Sequence, residues 1–479
     1  ALGRAMAQGP AGSTAGSCVA IALPRAPGIP GAMAEVKLKD DGEAGRLMSN
    51  WHLLSATFSA NHGCATTVLV YASTLLKEEV GYVGSALLYA FTCVGALFIG
   101  IPLMSSIGQR LSLCLAMGLY SLYIGLFALA IWQEDGSDLQ RTAYLVASIF
   151  GGIAAGILWT AQGAYLSRSA DLYAEAAEGG RQSATARHAA IFAVYYLIGE
   201  VAMKLLASVA LRGSARDWLV FVVIFAVGLI ASLVALGIGE LPVGPRQASS
   251  PVLAAAALWP DAVLWCISPL SIAFGFSAAL MNGHVNAEYT GPRLGVQWVG
   301  YLSTATPLVA ALFSSIFGAA SMRMGTKGPA LLLGSLSFCA TPIFLFIMGS
   351  KPWKHWLVLP YVFQGIGRSV YESTNRGVFA DFFPGSRSEG AFANQMMLTT
   401  LSSAMCFFFS ATMPNYVLMI ITLVSAALAF PGYLVALQCR WQGHEREDRF
   451  EDQDVEDWVP SATLAEGPRS SGSAQLRPR

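Results

Sequence analysis

The chain has 479 residues, 54% of them hydrophobic and 12% charged, where an ordinary soluble domain carries roughly 25% charged residues. Its mean hydropathy is +0.53, which places it among membrane proteins before any segment is considered. With 29 basic and 29 acidic residues, the charge balance offers no basic field for nucleic acid, so no nucleic-acid partner is expected and the lipid bilayer is.

Residues 1–36 are rich in Ala, Gly and Pro and contain a single acid, Glu35; they read as a leader or disordered tail. Met33 opens a polar run and is a plausible start, and the fold is expected to begin after residue 47. A bilayer core about 30 Å thick takes around 20 apolar residues per helix. On that basis an all-α polytopic fold with twelve transmembrane helices is expected. Its windows fall near 51–74, 82–104, 111–132, 142–166, 188–211, 217–238, 261–282, 297–319, 328–348, 355–379, 390–411 and 415–437.

The division is into a tail (1–47), a six-helix half (48–238), a central cytoplasmic linker (239–260), a second half (261–437) and an acidic disordered tail (438–479). Two six-helix pseudo-repeats are supported by an internal echo. "IPLMSSIGQR" (101–110) returns as "GAASMRMGTK" (318–327), with Gly108 matching Gly325 and Arg110 matching Lys327. A second echo links 150–166 to 363–379. Parallel halves of this kind place a site at the midplane between them.

Loop charge leaves the orientation nearly balanced. Arg110, Arg168, Arg181, Arg187, Arg246, Arg323, Lys327 and Arg387 lie on one side; Lys77, Arg141, Arg212, Arg216, Arg293, Lys351 and Lys354 lie on the other. The basic residues of the tails tip it toward both termini in the cytoplasm. The tail "RWQGHEREDRFEDQDVEDWVP" (440–460) is charged and poor in apolar residues, a composition of disorder. A docking peptide at Phe450 to Trp458 is the alternative to a solvated tail.

Charges inside the spans are the main functional signal, since each costs roughly 2.5–3.5 kcal/mol at the centre of a membrane helix. Arg368, Glu372 and Arg376 recur every four residues in the tenth window, forming one stripe with Asn375 at its edge. Either the stripe offers a guanidinium to an anionic ligand, or it closes on itself and pins the helix to a neighbour. Glu200 and Lys204 form a further i, i+4 pair, either a neutralised ion pair or a proton- or ion-coupling site. Trp159 and Gln162 in the fourth window are uncharged counterparts of the tenth-window cluster. Gly152, Gly156 and Gly163 make a small-residue stripe for close helix approach.

Asn61 with His62, and Asn282 with His284, occupy matching windows of the two halves; a packing role or a proton relay is open for each histidine. Cys64, Cys93, Cys114, Cys266, Cys339 and Cys406 sit in apolar stretches as small packed residues. Cys439 is either palmitoylated or idle. The absence of any CxxC argues against zinc or redox chemistry, and no metal or cofactor is expected. No catalytic motif stands in a supporting context, so the chain is not expected to be an enzyme.

The two loops resemble the major facilitator motif G-x-L-a-D-r-x-G-r-r, at Leu103, Gly108 and Arg110 and again at Gly318, Arg323, Gly325 and Lys327. Ser105 and Met322 stand where the motif has Asp. In that superfamily the Asp anchors a network that gates alternating access, so its double absence counts against ordinary transport cycling. "GILWTAQGAYLS" (156–167), "SVYESTNRGVFADFFP" (369–384) and "EGAFANQMM" (389–397) resemble the Unc-ninety-three family, a branch of that superfamily. Arg368 and Arg376 depart from its usual acidic or neutral pattern, and Tyr371 replaces a Trp. The resemblance covers about 50 to 437. It implies a twelve-span major-facilitator fold and a role like that of family members which regulate potassium channels or escort Toll-like receptors. The expected partner is therefore a channel or receptor; the alternative is secondary transport of an ion or small anion.

Overall fold

A computed structural model describes residues 41–177, 179–213, 216–242, 250–348, 354–384 and 387–457, with backbone alone from 441 onward. These residues form helices α1 (Asp41–Leu75), α2 (Glu78–Val94), α3 (Gly100–Trp132), α4 (Asp138–Ala176), α5 (Arg181–Gly213), α6 (Asp217–Val234), α7 (Pro251–Ala256), α8 (Ala262–Ile267), α9 (Pro269–Leu280), α10 (Gly291–Leu294), α11 (Val296–Ser303), α12 (Ala305–Met324), α13 (Gly328–Met348), α14 (Val358–Ser369), α15 (Arg376–Phe382), α16 (Arg387–Thr412) and α17 (Asn415–Asp457). Wide π turns at Gly95–Ile99, Met281–Thr290 and Val370–Asn375 join α2 to α3, α9 to α10 and α14 to α15.

Among the described residues, eight helical runs are long and apolar enough to cross a membrane. One of them, Glu79–Trp132, has 54 residues and would extend roughly 80 Å if straight. It cannot be one crossing. The run breaks at Gly108, whose φ of 84° and ψ of 166° no helix contains. Gly325, the matching glycine of the second loop, also takes positive φ, 64°, where it ends α12. Only glycine enters this region freely, so the two loop copies share their turn chemistry. The first, tenth and eleventh windows are helical as well, but they carry too many polar groups to qualify by apolarity.

Among the described residues, apolar side chains gather in three large cores and a small cluster at Ala170, Ala174 and Ala184. One lies among α1 to α6 around Trp51, Tyr123, Phe127, Tyr144 and Phe221. A second lies among α8, α9 and α12 to α17 around Phe338, Val370 and Phe379. The third joins Leu69, Tyr82 and Ala86 to Phe276, Leu280, Tyr361 and Phe407, and so welds the two groups of helices together. Exposed aromatics mark the two membrane levels. Trp132, Trp298, Trp356 and Tyr416 ring the end where α1 finishes, and Trp259 and Trp265 lie at the opposite end.

Several expected boundaries shift. Helix α1 begins at Asp41 rather than after 47, because Ala44 and Leu47 are already buried. Residues 1–40, with the leader reading, lie outside the described residues. The linker expected over 239–260 contains α7, which Ser250 and Pro251 start and which packs on α16, where Gly390 meets the Ala254 carbonyl; residues 243–249 lie outside the description. The tail expected to be disordered from 438 continues α17 to Asp457. Its Arg, Glu and Gln residues favour helix, and no proline intervenes before Pro460. The side chains of the docking peptide at 450–458 lie outside the described residues.

The small-residue stripe on α4 is shorter than expected. A Cβ on Gly152 would strike the backbone of α2 at Leu88, and one on Gly156 the π turn that follows α2, at Gly95 and Ala96, whereas one on Gly163 would have no atom within 4 Å. Gly156→Leu is therefore expected to cost about 1–3 kcal/mol through overpacking and Gly163→Leu to be neutral. Thermal melting of the two variants in detergent checks this.

Candidate functional site

The polar centre forms where α5 meets α14. Helix α5 presents Tyr196, Glu200 and Lys204 at four-residue intervals, which align on one face. Gly199 lets α5 approach α1 closely, since a Cβ there would strike the Ser59 backbone, and Gly63 of α1 likewise meets the Gly199 carbonyl. That contact sets His62 and Glu200, each one residue away, in the same layer. Across from them, α14 brings Arg368 near its C-terminal end.

Arg368 grips Glu200 with both terminal nitrogens: Nη1 to Oε1 at 3.0 Å and Nη2 to Oε2 at 2.9 Å. Its Nε donates to Glu372 Oε1 at 2.8 Å, and Nη2 also donates to the Tyr196 hydroxyl at 3.2 Å. Lys204 Nζ completes the group at 2.6 Å from Glu200 Oε1. Two carboxylates thus face two cations, a formally neutral cluster. The Glu200 side chain is 4% exposed, Arg368 11% and Glu372 31%. Paired, bidentate geometry is the condition under which such charges tolerate burial.

Other expected residues are distributed around this centre. Trp159 and His62 belong to an aromatic wall: the His62 ring lies 5.3 Å from Trp159, 5.4 Å from Tyr196, 5.6 Å from Phe58 and 5.7 Å from Tyr120. Gln162 is buried one turn along α4 from Trp159. Asn375 turns away, donating to Ser271 Oγ at 3.1 Å. Arg376 is exposed, so the expected three-charge stripe is corrected to a pair. The π turn at Val370–Asn375 places an extra residue in the turn and swings the next residues of the helix by about 100°.

The paired polar windows also separate in role. Asn61 is a structural tie, donating to the carbonyls of Met117 and Gly228 and to Ser121 and Ser232. His284 is buried in the π turn after α9, where its ring meets Tyr289 edge-on at 5.5 Å. The loop residues act at the edge of the bundle. Arg110 Nη2 donates to the Leu236 carbonyl at 2.7 Å, and Lys327 pairs with Asp381 at 2.6 Å. Gly108 sits beside the Glu240 carboxylate.

Sequence reasoning treated Glu200–Lys204 and Arg368–Glu372 as separate pairs and missed Tyr196. Nothing in the spacing links residues 168 apart. The signal that could have found Tyr196 was its place four residues before Glu200 on the same helical face. Also missed was a seal between the halves at the end where α1 finishes. There Asn286 Nδ2 donates to the Val70 carbonyl at 3.1 Å, and Ser73 Oγ reaches the Asn282 and Gly283 carbonyls at 3.2 Å. The Gly300 amide donates to the Tyr71 hydroxyl at 3.1 Å.

Residues 73–238 match the family profile described as ion channel regulatory protein UNC-93, and curated relatives agree. Protein unc-93 homolog A of Bos taurus is 30% identical over 165 residues, which is 33% of this chain and 35% of that one. Over this segment the chain resembles UNC-93 proteins. Homolog A of Homo sapiens is 25% identical over 187 residues, covering 38% of this chain and 40% of its own, and that of Mus musculus is 24% identical over 226 residues, covering 45% and 48%. The matches thus span between about a third and a half of the length of these relatives. The stretch 156–167 falls inside the matched segment; 369–384 and 389–397 fall outside the profile match.

Solved structures extend the fold likeness to most of the chain. A point mutant of the nucleoside transporter NupG superposes with a TM-score of 0.59 at 14% identity, over 82% of this chain and 99% of that one. The POT family transporter PepTSo gives 0.59 at 13%, over 84% and 98%. The D-xylose–proton symporter gives 0.57 at 13%, over 82% and 95%. At such identities the likeness concerns the fold, which is major-facilitator-like, and the chain is an integral membrane protein.

Removing Glu200 leaves Lys204 buried without its carboxylate. Glu200→Ala is expected to lower stability by about 3–5 kcal/mol, and Glu200→Ala combined with Lys204→Met to recover part of that loss, because Arg368 and Glu372 remain a neutral pair. Melting temperatures of both variants, measured in the same detergent, check the ordering.

Proposed function

We propose that this chain is a non-catalytic, twelve-pass membrane protein that regulates or escorts another membrane protein, a channel or a receptor, with both termini in the cytoplasm. Twelve passes result if Glu79–Trp132 is counted twice, because Gly108 breaks it, and if α1, the α14–α15 run and α16 are added to the remaining apolar spans. The observation that carries the reading is the bidentate Glu200–Arg368 bridge between the two halves. Alternating access requires those halves to rock apart. Here rocking would separate a buried ion pair and break the Tyr71–Gly300, Ser73–Asn282 and Asn286–Val70 bonds as well. Parting the halves would forfeit both charge-assisted bonds of the bridge and leave each charge a single partner, Lys204 for Glu200 and Glu372 for Arg368, so the bridge favours a held conformation over cycling. Two loops without the motif's Asp fit the same reading, as does the description of the UNC-93 profile.

Two observations favour the alternative, secondary transport of an ion or small anion. Glu372 keeps 31% exposure beside a buried guanidinium, and the solved neighbours are transporters.

Two measurements separate these readings. In proteoliposomes, the chain is expected to give no saturable uptake of alkali cations, chloride or small carboxylates. Co-expressed with a panel of potassium channels and receptors, it is expected to change current density or surface abundance of at least one by twofold or more. Saturable uptake that Arg368→Ala abolishes would overturn the regulator reading.

A further inference from the structure

We propose that Arg368 anchors a binding site for a small aromatic monocarboxylate, and that Glu372 is the internal stand-in which the ligand's carboxylate displaces. The site would operate whether the chain regulates a partner or transports, so it does not rest on the regulator reading.

The two carboxylates on Arg368 are unequal. Glu200 takes both terminal nitrogens, is shared with Lys204, and is 4% exposed. Glu372 takes Nε alone through Oε1, and its other oxygen has no hydrogen bond among the described residues. Its side chain is 31% exposed, so water can receive it when it swings away. The bridge between the halves needs only Glu200, and loss of the Glu372 contact leaves that bridge whole. Glu372 also stands in the π turn at Val370–Asn375, a widened turn of the kind that recurs at functional sites.

A second observation points to the same place. His62 is 6% exposed, and its Nδ1 has no hydrogen-bond partner among the described residues. A buried ring nitrogen left unpaired is costly unless something else satisfies it. His62 lies within electrostatic reach of Glu200, Arg368 and Lys204, and its ring touches Tyr196, whose hydroxyl accepts from Arg368. Trp159 and Tyr196 are partly exposed and stand edge to face, 5.6 Å apart. Together these give a guanidinium N–H for a carboxylate oxygen, a ring nitrogen for a second polar atom and an apolar corner of two rings for an aromatic ring. A planar carboxylate matches what the site already holds in Glu372. Exchanging one carboxylate for another preserves the charge-assisted hydrogen bond at Nε.

The test uses the full chain in nanodiscs, with benzoate, benzylammonium and inorganic phosphate as probes and calorimetry with tryptophan fluorescence as readouts. Glu372→Gln should bind benzoate at least tenfold more tightly than the unaltered chain, because a neutral amide competes poorly for the guanidinium. Adding Arg368→Met to Glu372→Gln should remove that gain. Should the double variant fail to fold, Glu372→Gln with Trp159→Leu serves in its place and should lose most of the benzoate gain. Unchanged or weaker benzoate binding by Glu372→Gln overturns the proposal. So does benzylammonium binding that Glu372→Gln abolishes, which would make Glu372 a cation site. An equal gain for phosphate overturns the assignment to aromatic carboxylates.

Discussion

A guanidinium and a carboxylate held face to face in a medium of low dielectric constrain everything around them. Arg368 on α14 and Glu200 on α5 come from opposite halves of the chain, yet each satisfies the other with two parallel bonds. Neither helix can withdraw without giving up both of those charge-assisted bonds, which leaves Glu200 only Lys204 and Arg368 only Glu372 as ion partners. The close packing of α1 on α5, the aromatic wall on α4 and the position of Lys204 all serve to keep that pair dry and aligned.

Besides the shared apolar core, the bridge and a second set of hydrogen bonds tie the halves among the described residues. The second lies nearer the end where α1 finishes and is built from ordinary neutral hydrogen bonds, with Tyr71, Ser73 and Asn286 reaching main-chain atoms of the opposite half. Tyr361 backs it by donating to Asn286 Oδ1 at 2.6 Å. At the opposite end the halves are served by separate contacts: Arg110 holds Leu236 within the first, and Lys327 holds Asp381 within the second.

The helical windows and the turn glycines were legible in the sequence because they depend on local chemistry: runs of apolar residues, and Gly108 and Gly325 where the chain must reverse. The ion pairs within each helix were legible for the same reason, through four-residue spacing. The site itself was not. Joining Glu200 to Arg368 requires knowing that α5 and α14 face each other, which no local pattern encodes. Spacing misplaced Arg376 and Asn375 because it assumes 3.6 residues per turn, and the π turn between Val370 and Asn375 breaks that assumption. The charged C-terminal segment misled in the opposite sense, since polarity that forbids a core does not forbid a helix.

The glycine contact between α2 and α4 bears on how this bundle can deform. Where main chain rests directly on main chain at Gly156 and Gly95, no long side chains intervene to slide or change rotamer. These two helices must travel as a single stave, and any flexing of the first half is left to the seams on either side of it.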